Sequence, residues 1–307
     1  MRALLLLAFG GPRTPDEVEP FLTRLFRGRK PSPEQIERVK GRYCFIGGCS
    51  PLLEITLAQA EALERKLSED GYLFKSYIGM RYNAPLIEDT LKEILGDGLH
   101  EVIAIPMTPF RSRAITGAYI EEVRRAQHGG GETLKITFLE GWHVHPVFIE
   151  AVREKIREGL LGFDPDARKR VHLLFTAHSL PRSIVEKDPY VQDMEASVSE
   201  IMKGLDPFPW RIAFQSKGGG PEEWIGPEVE RVLEDLESQK VKEVLLVPIG
   251  FVSDHIEILY DIDILFRRKA ESMGILLKRT RSLNASERFI EALACAVEET
   301  LNDSENP

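Results

Sequence analysis

Two stretches of this chain repeat each other, and the repetition limits the folds open to it. Ala3-Leu-Leu-Leu-Leu-Ala-Phe9-Gly-Gly-Pro12-Arg13 lies over Val171-His-Leu-Leu-Phe-Thr-Ala-His178-Ser-Leu-Pro181-Arg182, with Phe9 opposite His178. His100-Glu-Val-Ile-Ala-Ile-Pro106, with Ser112 and Tyr119 beyond it, lies over Lys242-Glu-Val-Leu-Leu-Val-Pro248, with Ser253 and Tyr260. Between them Phe74 to Arg81 corresponds loosely to Trp210 to Lys217. Three matched segments in one order predict two similar halves, residues 1–150 and 151–307. Apolar strands alternate with amphipathic helices in each half, the pattern of a parallel sheet covered on both faces. The expected fold is α/β: two Rossmann-like lobes, each a parallel sheet of about four strands covered by helices, facing each other across a cleft.

Helix signals agree with this. Thr14-Pro15-Asp16-Glu17 reads as an N-cap, a proline in the first turn and acids behind it. Further helices are expected from Ser50-Pro51 to Ser68, Pro85 to Leu95, His145 to Leu161, Tyr190 to Leu205, Val229 to Leu236, Asp254 to Ser272 and Ala285 to Leu301, with a frayed acidic tail after them. Arg27 to Ser50 reads as a loop-rich rim over the cleft.

Composition excludes several functions. The net charge of −9 argues against nucleic acid as a partner, because phosphate binding needs a basic surface. Three cysteines (Cys44, Cys49, Cys295) form no CxxC pair and cannot supply four thiolates, so no iron–sulfur cluster is expected. Their odd number suits a reducing cytoplasm rather than a disulfide framework. The apolar start resembles a targeting signal, but it recurs inside the chain, and a strand explains both copies. No run is long enough to span a membrane. With no apolar patch or heptad seam, a monomer is expected.

In open parallel sheets ligands bind at the carboxyl ends of the strands. His178 stands at such an end, where two uses compete: a core imidazole bonded to a carbonyl, or a proton acceptor near neutral pH. In the segment Phe251-Val-Ser-Asp-His-Ile-Glu257-Ile-Leu-Tyr-Asp261, the residues Asp254, Glu257 and Asp261 fall on one face of a helix begun near Asp254. That face is either solvated or lines the cleft mouth; paired with His178, it favours metal-ion chemistry. His255 points elsewhere and reads as structural. His143-x-His145 reads as a turn, and Gly10-Gly11-Pro12 and Gly218-Gly219-Gly220-Pro221 lack phosphate-loop signatures. The basic run Arg24-Leu25-Phe26-Arg27-Gly28-Arg29-Lys30 is a solvated surface or a grip for carboxylates beside an apolar ligand body, Arg27 among its cations.

Several motifs in order resemble the ferrochelatases, which insert ferrous iron into a porphyrin: Gly28-Arg-Lys-Pro-Ser-Pro33, Arg42-Tyr43 with Ile46-Gly-Gly-x-Ser50-Pro-Leu52, Thr176-Ala-His-Ser-Leu-Pro181, Phe214-Gln-Ser216 with Trp224-x-Gly-Pro227, and Phe251-x-Ser-Asp-His-x-Glu-x-Leu-Tyr-Asp261. The resemblance implies that His178 and Glu257 flank the porphyrin as catalytic residues and meet the iron, with Asp261 behind them. It implies that Arg42, Tyr43, Ser50 and Tyr119 contact the macrocycle or its propionates, Phe9 forming part of the same wall. The chain is similar to the Gram-positive-like branch that acts on coproporphyrin III rather than protoporphyrin IX. It departs from that branch at Phe9, where some members carry a Tyr able to ligate metal, at Phe26, where an Arg can stand, and at Leu265, where an acid can continue the Glu257–Asp261 ridge. Two other readings stand beside this one. One is a cobalt or iron chelatase for sirohydrochlorin, which would carry more histidines; the other is a two-lobed protein holding haem or metal without catalysis.

Overall fold

The computed structural model describes residues 1–127, 133–219 and 221–305. The chain runs β1 (Arg2–Ala8), a short 3₁₀ turn (Pro15–Glu17), α1 (Val18–Leu25), α2 (Pro33–Phe45), α3 (Leu52–Glu69), β2 (Phe74–Met80), α4 (Ile87–Gly96), β3 (Glu101–Pro106), α5 (Thr116–Gln127) and β4 (Lys135–Phe138). It continues through a 3₁₀ turn (Trp142–Val144), α6 (Pro146–Leu160), α7 (Pro165–Arg168), β5 (His172–His178), α8 (Arg182–Val185), α9 (Tyr190–Lys203), β6 (Trp210–Gln215), α10 (Val229–Ser238) and β7 (Glu243–Val247). A π-helix (Glu257–Phe266), α11 (Arg267–Ser272), β8 (Leu276–Arg279) and α12 (Glu287–Glu305) complete it.

The strands form two parallel four-stranded sheets of matching order, β2-β1-β3-β4 and β6-β5-β7-β8. The repeat carries through to register. Ala3 pairs with Val102 and His172 pairs with Val244, the correspondence the sequence implied. The second segment needs a correction of two residues. Leu4 pairs with Ser76 and its counterpart Leu173 pairs with Trp210, so Ser76, not Phe74, is equivalent to Trp210. A shift of two keeps every side chain on its own face, which is why hydrophobic pattern alone could not detect it.

Strand alternation divides the core. Leu4, Leu6 and Ala8 of β1 and their counterparts Leu173, Phe175 and Ala177 of β5 all enter one central cluster. Leu63 and Leu67 of α3, Phe148, Val152 and Ile156 of α6, and Leu293 and Val297 of α12 fill the same cluster. The opposite faces pack separately, Ala3, Leu5 and Leu7 against α4 and α5 and Leu174, Val244 and Leu246 against α10 and the π-helix. Equivalent faces of the two sheets therefore look inward at shared helices, and the strand ends converge on one cleft.

Three local expectations are corrected. The supposed rim loop holds α2, which the sequence did signal: Ser32 and Gln35 form a reciprocal capping box and Pro33 takes the first helical position. The helix expected from Asp254 begins at Glu257 and is π-helical to Phe266, so Asp254 is not part of its face. Last, α12 runs on to Glu305 where a frayed tail was expected, with residues 306–307 outside the described part. Gly220 of the glycine run also lies outside it. Among the described residues no helix is long and apolar enough to cross a membrane.

Candidate active site

The carboxyl ends of β1, β5 and β7 open onto a cleft of about 370 Å³, within the range of small-molecule sites. Its walls are mostly apolar: Phe9, Phe21, Leu25, Met107, Ile115 and Leu180. Among the polar groups that line it, His178, His255 and Glu257 meet. Close packing constrains the backbone in and beside the cleft. A Cβ on Gly250 would lie 2.6 Å from the Ala177 Cβ, and one on Gly11 would lie 2.6 Å from the Ser50 hydroxyl.

His178 is the last residue of β5. Its Nδ1 contacts the Ser179 carbonyl, which makes Nδ1 the protonated nitrogen and leaves Nε2 as the titrating one. That Nε2 faces Glu257 Oε1 at 3.5 Å. Burial by itself would pull the imidazole pKa down; the Glu257 carboxylate outweighs it and holds the pKa above the ordinary histidine range. Tyr190, fully buried at the start of α9, donates its hydroxyl to the His178 carbonyl at 3.0 Å.

Glu257 opens the π-helix. Its Oε2 lies 3.9 Å from His255 Nε2 and has no hydrogen-bond partner, so the carboxylate sits between two imidazoles with one oxygen unsatisfied. Burial pushes its pKa up, but His178 first and then His255 and Arg42 bring it below the usual carboxylate range. Asp261 moves the opposite way. It is buried and accepts from Ser216 Oγ at 2.7 Å, yet burial and the neighbouring Glu257 charge hold its pKa above normal. The two carboxylates thus shift in opposite directions, Glu257 favouring its charged form and Asp261 disfavouring it.

The remaining sequence candidates divide. Phe9, Tyr43, Ser50 and Tyr119 line the cleft. Phe9 packs its ring on Tyr82 at 4.6 Å, and Tyr43 and Tyr119 are buried, with burial raising both phenol pKa values. Arg42 lies outside the lining, its guanidinium stacked on Tyr260 at 5.4 Å, where it still acts electrostatically on Glu257 and Asp261. Arg27 lines an adjoining depression of about 640 Å³ that shares Arg81 and Tyr82 with the cleft. Asp254 turns away, bonded to Ser282 and Asn284 and paired with Arg279. His143 pairs with Asp193 and His145 bonds the first turn of α6, so both are structural. Cys44, Cys49 and Cys295 are free thiols.

Sequence reasoning missed four residues. His255 reads as structural in the sequence but enters the cleft beside Glu257, because the helix starts later than its pattern implies. Arg81 and Tyr82 follow β2 directly, and the strand-end rule would have flagged them. Nothing local marks Tyr190, which reaches the site only through the packing of α9. Among the described residues no three His, Cys, Asp or Glu side chains stand assembled as a metal cage.

Known proteins share both sequence and fold with this chain. The family profile described as Ferrochelatase matches residues 1–301. A ferrochelatase of Herpetosiphon aurantiacus is 38% identical over 297 residues, covering 96% of this chain and 97% of the relative. A coproporphyrin III ferrochelatase of Halalkalibacterium halodurans is 36% identical over 310 residues, covering 98% of each. Among solved structures, SirB from Bacillus subtilis with Fe3+ superposes with a TM-score of 0.61 at 12% identity, covering 99% of this chain and 98% of that one. CbiX, described as the terminal enzyme of sirohaem biosynthesis in denitrifying bacteria, gives 0.55 at 12%, covering 97% and 99%. At such identity these two speak for the fold alone, whereas the profile and the sequence relatives go further: this chain belongs to the ferrochelatase family of metal chelatases.

Proposed function

We propose that this protein inserts ferrous iron into a porphyrin, with coproporphyrin III the favoured substrate and protoporphyrin IX the alternative. One observation carries the reading: His178 Nε2 and Glu257 Oε1 stand 3.5 Å apart in a mostly apolar cleft. The preference for coproporphyrin III takes its support from the name of the Halalkalibacterium halodurans relative.

The reaction takes Fe2+ and a free-base porphyrin to the metalloporphyrin and two protons, so the site must receive a dication and remove both N–H protons. Flat porphyrin hides its nitrogen lone pairs. Bending exposes them, and contacts to the rest of the ring offset a strain of roughly 1–5 kcal/mol. The apolar walls around Phe9, Phe21 and Ile115 would supply those contacts. His178 would accept the protons at Nε2, while Glu257 handles the metal with Asp261 behind it. Their electrostatics suit the order of events. Before iron arrives, the Glu257 carboxylate favours the protonated form of the His178 imidazole. A dication taking that carboxylate would remove this support and repel the imidazolium proton, freeing Nε2 as a base when it is needed. Tyr43, Ser50 and Tyr119 would meet the macrocycle and its carboxylates, Arg42 would act electrostatically through Glu257 and Asp261 from outside the lining, and Arg27 would meet a carboxylate reaching past Tyr82 into the adjoining depression.

Anaerobic mixing with ferrous iron and each porphyrin, followed through the Soret and visible bands, tests the reading. Catalytic loss of the coproporphyrin III free-base bands, at a higher kcat/KM than for protoporphyrin IX, is the expected result. Turnover of sirohydrochlorin alone would reassign the substrate, and stoichiometric binding without turnover would make the protein a carrier.

A further inference from the structure

We propose that Arg279 is a positioning residue for Glu257, fixing the chain on both sides of that carboxylate so that it stays within reach of His178; the inference rests on the chelatase reading above. Arg279 is the last residue of β8, largely buried behind the π-helix and outside the cleft lining. It donates Nε to Asp263 Oδ1 at 2.7 Å and Nη2 to Asp263 Oδ2 at 2.9 Å, a two-pronged grip on the π-helix downstream of Glu257. The same Nη2 lies 3.2 Å from Asp254 Oδ1, upstream of Glu257. Asp254 is anchored in turn. Its carboxylate accepts from Ser282 Oγ at 2.8 Å and from Asn284 Nδ2 at 2.9 Å, and its N–H donates to Asn284 Oδ1 at 2.9 Å. The Asn284 N–H closes the loop on the Val252 carbonyl at 2.8 Å.

A π-helix needs support of this kind. Such helices are rare and mostly single-turn bulges inside α-helices, whereas this one runs from Glu257 to Phe266. Ile256 stands at its N-cap position, and no side chain caps that end. Ile258, Ile262 and Phe266 hold it against the sheet by apolar packing, which has no preferred direction. The Arg279 fork is directional, and it ties both flanks of Glu257 to the end of one strand. The 3.5 Å approach of Glu257 to His178 depends on that segment keeping its place. Partners that orient metal-handling groups typically change metal affinity or activity 10- to 100-fold when removed.

Two substitutions test this. Arg279→Lys keeps the charge, but one ammonium cannot reproduce the planar fork. Asp263→Ala removes the downstream arm on the more exposed partner. Each should raise the KM for ferrous iron about 10-fold while the porphyrin KM stays unchanged, and the double variant should do no more than Arg279→Lys alone. Calorimetric titration of the porphyrin-free protein with Zn2+, counting only the binding that Glu257→Gln abolishes, should show a similar loss of affinity. An unchanged iron KM and Zn2+ affinity in Arg279→Lys would overturn the proposal. So would an equal rise in both KM values, or additive effects in the double variant. Should Arg279→Lys fail to fold, Asp263→Ala decides between the same outcomes. Wild-type protein that binds Zn2+ but never inserts iron would sink the chelatase reading instead, and the Zn2+ series would still decide the role of Arg279.

Discussion

The ends of β1 and β5 occupy equivalent places in two sheets of the same order, and their chemistry has diverged completely. Ala8 and Ala177 are both buried against the central core, and the next position in the repeat differs. Phe9 is 41% exposed and packs on Tyr82 and Phe21, forming an apolar wall. His178 is half-buried, with Glu257, Ser179 and Tyr190 around it. The following helices diverge too: β3 leads to the ordinary α5 bearing Tyr119, and β7 leads to a π-helix bearing Glu257 and Asp261. One lobe offers an apolar wall to the cleft, and the other lines it with ionisable groups. An aromatic ring needs only packing at such a position. A buried ion pair needs partners for its remaining polar atoms, which is why polar support gathers in the second lobe.

The largest expected effect breaks this division at its polar end. His178→Ala should lower the insertion rate by about 10²–10⁴-fold, the usual contribution of a general base, while porphyrin affinity, followed by fluorescence quenching, changes little. A matching loss of porphyrin binding would mean that the second lobe grips as well as reacts.

A second effect sits at the start of the same strand, where His172 stands opposite Ala3 of the repeat. Burial, with Arg211 nearby, lowers its pKa to about 4. Its unfolded value is near 6.5, so between these limits the unfolded chain binds the additional proton and stability falls as pH falls. The contribution is complete above 6.5 and lost by about 4, about 3 kcal/mol in all. Denaturant titrations at pH 7 and pH 4.5 should therefore show His172→Leu losing less stability than wild type; parallel losses would exclude this residue as the source.

The third test concerns the close packing of the segment after β7 on the end of β5. Gly250→Ala pushes a methyl to 2.6 Å from the Ala177 Cβ, against a strand that cannot move freely. A cost of about 1–3 kcal/mol in unfolding free energy is expected, with turnover reduced by displacement of His178. An unaltered stability would show that the β7 loop yields.

Smallest is the effect at the apolar wall. Phe9→Ala removes aromatic contacts of about 0.5–1.5 kcal/mol, so porphyrin affinity should weaken several-fold with kcat at saturation retained. Loss of kcat instead would assign Phe9 a part in the chemistry.

Much of this was legible in the chain. The repeated strands, their alternation and the strand-end position of His178 follow from local hydrophobic pattern, and the register of Ala3 on Val102 and His172 on Val244 agrees with it. The capping box that starts α2 was present at Ser32 and Gln35, but the flanking prolines and glycines read as a loop. The two-residue slip at Trp210 was invisible because it preserves side-chain alternation.

The sequence by itself determined a duplicated parallel α/β scaffold, because apolar periodicity is a property of neighbouring residues, and it marked His178 and Glu257 as ionisable groups at strand ends. Tertiary structure alone decided that they meet at 3.5 Å, that His255 joins them, that Asp254 leaves the cleft for Arg279, and that Ser216 adopts a left-handed turn onto Asp261. These outcomes depend on the late, π-helical start at Glu257 and on contacts between residues tens to hundreds of positions apart. Their energies arise from burial and pairing, which exist only once the two sheets have packed around a common core.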